Sequence, residues 1–310
     1  MRTGNTDILS PAGEKRLIDI GEAYSYCEKV TRNHYENFPV ASLLIPRAKR
    51  RHISAIYAFA RGADDFADEG NLPADERIAR LAEWNEHLEE AYAGAAKHPV
   101  FVALSRTALE LDIPKEYFTS LLAAFRQDVV KRRYDDFDEL LDYCRNSANP
   151  VGRLVLHVFG YRSRDLHRYS DFICTALQLA NFWQDVETDL ARNRIYLPQE
   201  DMERFDFDEG DLAAKRATIE YRRLMQLQVE RTYALFRAGY PLVDRVGRDL
   251  RLELRMTWFG GVRILEKIEK LDYDVFGRRP KLHLLDGFSI LLHAFSKRQP
   301  KLKRRTVYVS

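Results

Sequence analysis

Cysteine is too scarce in this chain to build a framework. Cys27, Cys144 and Cys174 are the only three in 310 residues, far apart and without the C-x-x-C or Cys/His spacing of a zinc or redox centre. They are expected as buried apolar fillers in a reducing cytosol. Long apolar runs are missing too. The stretch MRTGNTDILSPAGEKRL has no apolar segment of the secretory kind, and the chain nowhere approaches the roughly 18 consecutive apolar residues of a spanning helix. The expectation is a cytoplasmic protein, at most peripheral to the inner face of a membrane. Charge of one sign is also lacking, since 49 basic against 47 acidic side chains leave +2. No global field would recruit nucleic acid, so an anionic ligand must be held by local charge or by bound metal. No G-x-G-x-x-G follows a strand-like run, which leaves a nicotinamide cofactor without sequence support.

What the sequence does carry is helical period. Nearly every segment spaces its apolar residues for helix rather than strand, predicting helices over 14–32, 47–69, 74–96, 99–111, 115–130, 136–146, 150–159, 163–190, 208–239, 241–272 and 281–295. The connections between them are short, and 199–211 reads as the longest of them. With 45% hydrophobic residues, the chain can bury one large core or two ordinary ones. No Ser/Gly linker, fixed-period repeat or low-complexity tract divides it. The simplest architecture is one all-α domain over 1–310 whose helices surround a central cavity.

Two of the predicted helices carry acids where like charges repel. In AIYAFARGADDFADEG, residues 55–70, Asp64 and Asp68 are i,i+4 neighbours, an arrangement that costs roughly 0.2–0.5 kcal/mol, so something cationic should offset it. Tyr57, Arg61, Asp64 and Asp68 fall along one stripe, with Asp65 on its shoulder. In QLANFWQDVETDLARNRIYLP, residues 178–198, the same arithmetic aligns Asn181, Asp185 and Asp189. Both stretches are embedded in apolar and aromatic sequence rather than interleaved with lysines, as a solvated face would be. Two such helices could hold hard divalent cations between them, and Mg²⁺ prefers one or two carboxylates plus water and phosphate oxygens. The implied ligand is a diphosphate.

A third segment, NSANPVGRLVLHVFG at 146–160, concentrates small residues. Pro150 either follows Asn149 as a first-turn proline after an N-cap or breaks a longer helix begun at Phe137. Asn149 and Gly152 then mark either a plain helix–helix turn or a place where a bulky ligand approaches the backbone.

These residues resemble the squalene/phytoene synthase family. The resemblance spans about residues 20–290 and rests on YAFARGADDFADE with Tyr57, Arg61, Asp64, Asp65 and Asp68; on QLANFWQDVETDLARNRIYLP with Asn181, Asp185 and Asp189; on Tyr143 in YCRNSANPVG; and on Arg278 or Arg279 in DVFGRRPKL. It implies an isoprenoid synthase helical fold in which Asp64, Asp65, Asp68, Asp185 and Asp189 bind Mg²⁺. It also implies substrate contacts from Tyr57, Arg61, Tyr143, Asn149, Gly152, Asn181, Arg278 and Arg279 with a prenyl diphosphate. Within the family, HYENFPVAS, SANPVGRLVL and NFWQDV look most like the hydroxysqualene synthase branch of hopanoid biosynthesis, which converts presqualene diphosphate and water to hydroxysqualene and diphosphate alongside partner enzymes of its pathway. Where condensing members commonly carry arginine beside the first aspartate of the second motif, this chain has Gln184. Gln184 and Asn149 could orient the capturing water, or they could serve helix packing. The alternatives are head-to-head condensation of two farnesyl diphosphates to presqualene diphosphate or squalene, phytoene synthesis, and a non-catalytic helical assembly protein. Finally, KRQPKLKRR at 297–305 carries six basic residues, which is enough for peripheral contact with anionic lipid.

Overall fold

The computed structural model describes residues 18–33, 45–68 and 72–295. The segment 34–42 and the basic tail, both singled out in the sequence, lie outside these residues.

Among the described residues the chain is all helix. In order the helices are α1 (Ile20–Asn33), α2 (Arg47–Asp68), α3 (Ala74–Tyr92), α4 (Pro99–Leu111), α5 (Glu116–Val130), α6 (Phe137–Ser147), α7 (Asn149–Val158), α8 (Arg164–Ala191), α9 (Gln199–Arg204), α10 (Glu209–Ala213), α11 (Ile219–Gly239), α12 (Pro241–Arg245), α13 (Arg248–Lys270) and α14 (Leu284–Phe295). None of them is long and apolar enough to cross a membrane.

Two predicted helices are each divided, for reasons visible in the backbone. The stretch 208–239 splits because Lys215 takes a left-handed φ of 52°. Asp208 closes a capping box with Asp211 to start α10, and Thr218 accepts the Tyr221 N–H to restart the chain as α11. The stretch 241–272 is interrupted at Val246, where the backbone is extended, and Gly247 caps the long α13. The expected connection 199–211 contains α9, which is anchored by buried Asp201. That carboxylate accepts hydrogen bonds from Gln228 and Arg231 of α11.

Two long helices organise the packing. The amphipathic α2 buries Ala55, Phe59 and Ala63 against α1, α3, α4 and α5, and Phe59 packs edge-on against Phe101 and Phe118. The 28-residue α8 packs against α7, α11 and α13. There Trp183 is fully buried and donates its indole N–H to Thr232 at 2.8 Å. Helices α5 and α7 both contact α2, and α6 and α7 contact α8, so these three connect the two acidic helices. Cys27 and Cys144 are buried and Cys174 partly so, all as free thiols.

The α6–α7 junction settles what the small residues do. Pro150 lacks the N–H that would continue the ladder, so α6 stops at Ser147 and α7 begins after Ala148 alone. Asn149 is inside the helix rather than its cap, and its buried side-chain oxygen accepts the Thr175 hydroxyl at 2.9 Å. A Cβ on Gly152 would overlap Ser170 Oγ and Cys174 Sγ of α8. Both residues therefore serve the α7–α8 contact, the packing alternative of the sequence reading.

Gly152→Ala gains helix propensity but overpacks this contact, so a net destabilisation on the order of 1–2 kcal/mol is expected. Denaturant melting should show the loss, with affinity for inorganic diphosphate unchanged.

Candidate active site

The acids of α2 are met by cations, as their repulsion requires. Arg61 pairs with Asp64 at 3.2 Å and with Asp65 at 2.5 Å, both on its own helix. Asp68 is met from the second acidic stretch: Arg194 donates to both its oxygens, at 2.5 and 3.2 Å, and Arg192 approaches to 3.5 Å. Burial pushes Asp68 up, and Arg194 more than reverses this, holding the carboxyl below its usual range.

Local structure delivers Arg194. Helix α8 ends in a Schellman motif in which Asn193 takes the left-handed conformation at φ 58°, Asn193 N–H bonds Leu190 O at 2.9 Å, and Arg194 N–H bonds Asp189 O at 2.8 Å. Arg133 holds the turn from outside, donating to the Asn193 carbonyl and side chain and pairing with Glu209. Ile195 N–H then bonds Arg132 O, which lays the chain along the end of α5.

That end of α5 contributes Asp128, which the sequence reading missed. Tyr143 of α6 donates its hydroxyl to Asp128 at 2.9 Å, and the Arg194 guanidinium reaches the Asp128 carbonyl at 3.3 Å. Burial raises the Asp128 carboxyl to about 6, with Tyr143 and Arg194 opposing. Tyr143 is itself buried, and its phenol is pushed well above the ordinary range by burial and by Asp128. Around it Tyr134, Phe182 and Tyr196 form an aromatic wall, with Phe182 and Tyr196 stacked at 3.7 Å. Phe182, Tyr196, Asp189 and Arg194 border one water-sized pocket.

On α8 the two acids differ. Asp185 is chelated by Arg279, through Nε and through Nη2 at 2.8 Å. Of the two exposed arginines of the motif it is Arg279 that makes this pair. Asp189 makes no ion pair among the described residues; burial and the neighbouring Asp185 raise its carboxyl to about 7. Asn181 is exposed one turn earlier, and Tyr57 is partly buried one turn before Arg61.

Gln184 points elsewhere than expected. It is buried, and its amide nitrogen donates to the Pro280 carbonyl at 2.5 Å. Glu187 accepts the Gly277 N–H at 2.6 Å. Adjacent turns of α8 thus grip the 277–280 segment at three points and hold Arg279 against Asp185. Gln184 acts on the backbone that carries Arg279, a packing role that the sequence reading set beside orientation of water.

No three acids among the described residues converge to enclose a metal, and arginines pair with Asp64, Asp65, Asp68 and Asp185. The donor set still suits a hard cation: carboxylates on two facing helices, one of them lacking a counter-cation, with arginines able to turn from carboxylate to phosphate.

Residues 31–286 match the family model of squalene/phytoene synthase. The chain belongs to that family. The hydroxysqualene synthase of Sinorhizobium fredii is 34% identical over 272 residues, covering 87% of this chain and 90% of that protein. The 15-cis-phytoene synthase of Synechococcus elongatus is 31% identical over 284 residues, covering 87% and 92%. The crystal structure of squalene synthase HpnC from Alicyclobacillus acidocaldarius superposes with a TM-score of 0.79 at 42% identity, covering 84% of this chain and 98% of that one. The all-α isoprenoid synthase fold is therefore established, and this squalene/phytoene synthase family member is an enzyme of the kind that acts on prenyl diphosphates.

Two outcomes test the site. Asp128 binds a proton more tightly folded than unfolded, so its contribution is fully present below pH 4 and is lost as pH rises through about 6. Asp128→Asn keeps an acceptor for Tyr143 and should raise stability above pH 7 by on the order of 2 kcal/mol while matching wild type near pH 4; melting across this range measures it. Gln184→Leu should weaken inorganic diphosphate binding roughly three- to tenfold, and in an Arg279→Ala background it should add nothing. Calorimetric titration of the four proteins reads that coupling.

Proposed function

We propose that the protein is a hydroxysqualene synthase, converting presqualene diphosphate and water to hydroxysqualene and diphosphate. The observation that carries a diphosphate-ionising reaction is the meeting of Asp68 and Asp189, from the ends of two acidic helices, around Arg194 and above an aromatic wall. The finer assignment is supported by Gln184 in place of an arginine, by 34% identity to a hydroxysqualene synthase and by 42% identity to squalene synthase HpnC.

In this reading Asp64, Asp68, Asp185 and Asp189, with Asp65 beside them, hold Mg²⁺. Held by these carboxylates, Mg²⁺ would supply positive charge to offset the negative charge on the departing diphosphate. Arg279, released from Asp185, and Arg61 donate to phosphate oxygens in the forked geometry a guanidinium offers. The carbon–oxygen bond to diphosphate breaks with its electron pair leaving on oxygen. The resulting cyclopropylcarbinyl cation rearranges against the faces of Tyr143, Phe182 and Tyr196, whose rings favour positive charge and exclude bulk water. Tyr57 and Asn181 border the substrate on the two acidic helices. A water oxygen forms the new carbon–oxygen bond and gives up one proton to solvent. No hydride donor is needed.

A second reading, condensation of two prenyl diphosphates, is favoured by the 31% identity to a 15-cis-phytoene synthase over 87% of the chain. Purified protein should convert presqualene diphosphate to hydroxysqualene with Mg²⁺ and no reductant, and excess chelator should stop it. Inertness toward presqualene diphosphate, together with condensation of farnesyl or geranylgeranyl diphosphate, would overturn the assignment in favour of the second reading.

A further inference from the structure

Helix α10 carries none of the acids or arginines assigned to the site, yet the segments that bear Arg194 and Arg279 are both tied to it. At its first residue Glu209 accepts two bonds from Arg133, from Nε at 2.6 Å and from Nη2 at 2.9 Å. The rest of that guanidinium goes to the turn that presents Arg194. Nη1 donates to the Asn193 carbonyl at 2.8 Å and to the Arg132 carbonyl at 3.0 Å, and Nη2 donates to the Asn193 side chain at 3.0 Å. Every N–H donor of Arg133 is thereby used. Two residues past the helix, Lys215 pairs with Glu187 at 2.7 Å, and the other oxygen of Glu187 accepts the Gly277 N–H at 2.6 Å. Gly277 begins the segment that holds Arg279 on Asp185.

The span between these two ties is seated on the protein. Asp208 and Asp211 close the capping box that starts α10, and Lys215 ends the span in the left-handed conformation. Leu212 is buried and borders the water-sized pocket beside Asp189 and Arg194. Phe207, just before the helix, packs on Tyr221 at 5.3 Å, and Tyr221 packs at 4.8 Å on Phe276, the neighbour of Gly277. A short piece held at both ends fixes a distance, and an anion with two charged groups binds more tightly when the cations awaiting it are already spaced. We propose that the 208–215 segment is a strap that sets the spacing of Arg194 and Arg279, and that Arg133, Glu209 and Lys215 are positioning residues for the ligand of those two arginines. The inference rests on the reading of the site as one for a diphosphate. Signs separate a strap from a field: through charge alone Glu209 would oppose a diphosphate and Lys215 would favour it, whereas as the two ends of one strap both favour it.

The test titrates the full chain, in Mg²⁺, with inorganic diphosphate by calorimetry. Glu209→Ala and Lys215→Ala should each weaken binding about threefold. Glu209→Gln, which keeps an acceptor for Arg133, and Lys215→Arg, which keeps the cation, should stay near wild type. Because either cut releases the same span, the double alanine variant should bind no more weakly than the weaker single variant. Amide exchange reads the strap without ligand: Glu209→Ala should speed exchange of the Gly277 N–H, and Lys215→Ala that of the Arg194 N–H, each at the end it does not touch. Tighter binding by Glu209→Ala, additive losses in the double variant, or exchange that rises only beside each substitution would each overturn the proposal. A wild type that does not bind diphosphate strikes the reading of the site instead, and the exchange pattern then decides the strap. The Glu209 and Lys215 side chains are 47% and 49% exposed, so the single variants keep the fold and decide the matter should the double variant not.

Discussion

The pairing of Arg194 with Asp68 is the constraint on which the site depends. A guanidinium taken largely out of water has to be matched by acceptors, and here the match comes from the carboxylate of α2 and the Asp128 carbonyl of α5. The residue itself belongs to the turn that ends α8. Three helices that approach from different parts of the chain are thereby registered at one charged group. The backbone beneath it is fixed independently, by the Schellman bonds to Asp189 and Leu190 and by Arg133 on Asn193. Removing the cation would leave Asp68, Asp128 and Asp189 repelling one another, with Arg192 at 3.5 Å from Asp68 as the nearer remaining counter-charge.

Much of this was legible in the sequence, because helix periodicity and acid spacing are local. The i,i+4 carboxylates called for a cation, and the structure provides Arg61 for Asp64 and Asp65 and Arg194 for Asp68. The two acidic motifs and Tyr143 fall in the same neighbourhood, as expected. What failed was non-local or conformational. Asp128 looks like any acid near the end of a helix, and only tertiary contact with Tyr143 and Arg194 distinguishes it. Arg194 left one signal, an asparagine at 193 suited to the left-handed C-terminal position. Lys215 carries no such signature, so the division of 208–239 could not be read from it. Asn149, Gly152 and Gln184, being small or polar, left functional and packing readings open, and only tertiary contact shows which neighbour each touches: Thr175, the α8 surface and the Pro280 carbonyl.

The 277–280 segment shows how an ion pair can be held ready rather than spent. Its backbone is gripped through Gly277 and Pro280 by Glu187 and Gln184, and Glu187 is in turn paired with Lys215 at 2.7 Å. The Arg279 side chain can therefore leave Asp185 without the segment moving. An exposed pair of this kind contributes little to stability, and exchanging its carboxylate partner for a phosphate costs correspondingly little.

The turn at Asn193 bears on time as well as shape. Backbone hydrogen bonds tie Asp189 and Arg194 into one unit, and the side chains of Gln184 and Glu187 hold the backbone on either side of Arg279, so exchange of the Arg279 partner can proceed on a fixed backbone. It requires only rotation about side-chain bonds, which in exposed groups takes picoseconds to nanoseconds, whereas collective lid and hinge motions take microseconds or longer. A frame of this kind can accept and surrender a highly charged guest many times while its own backbone stands still.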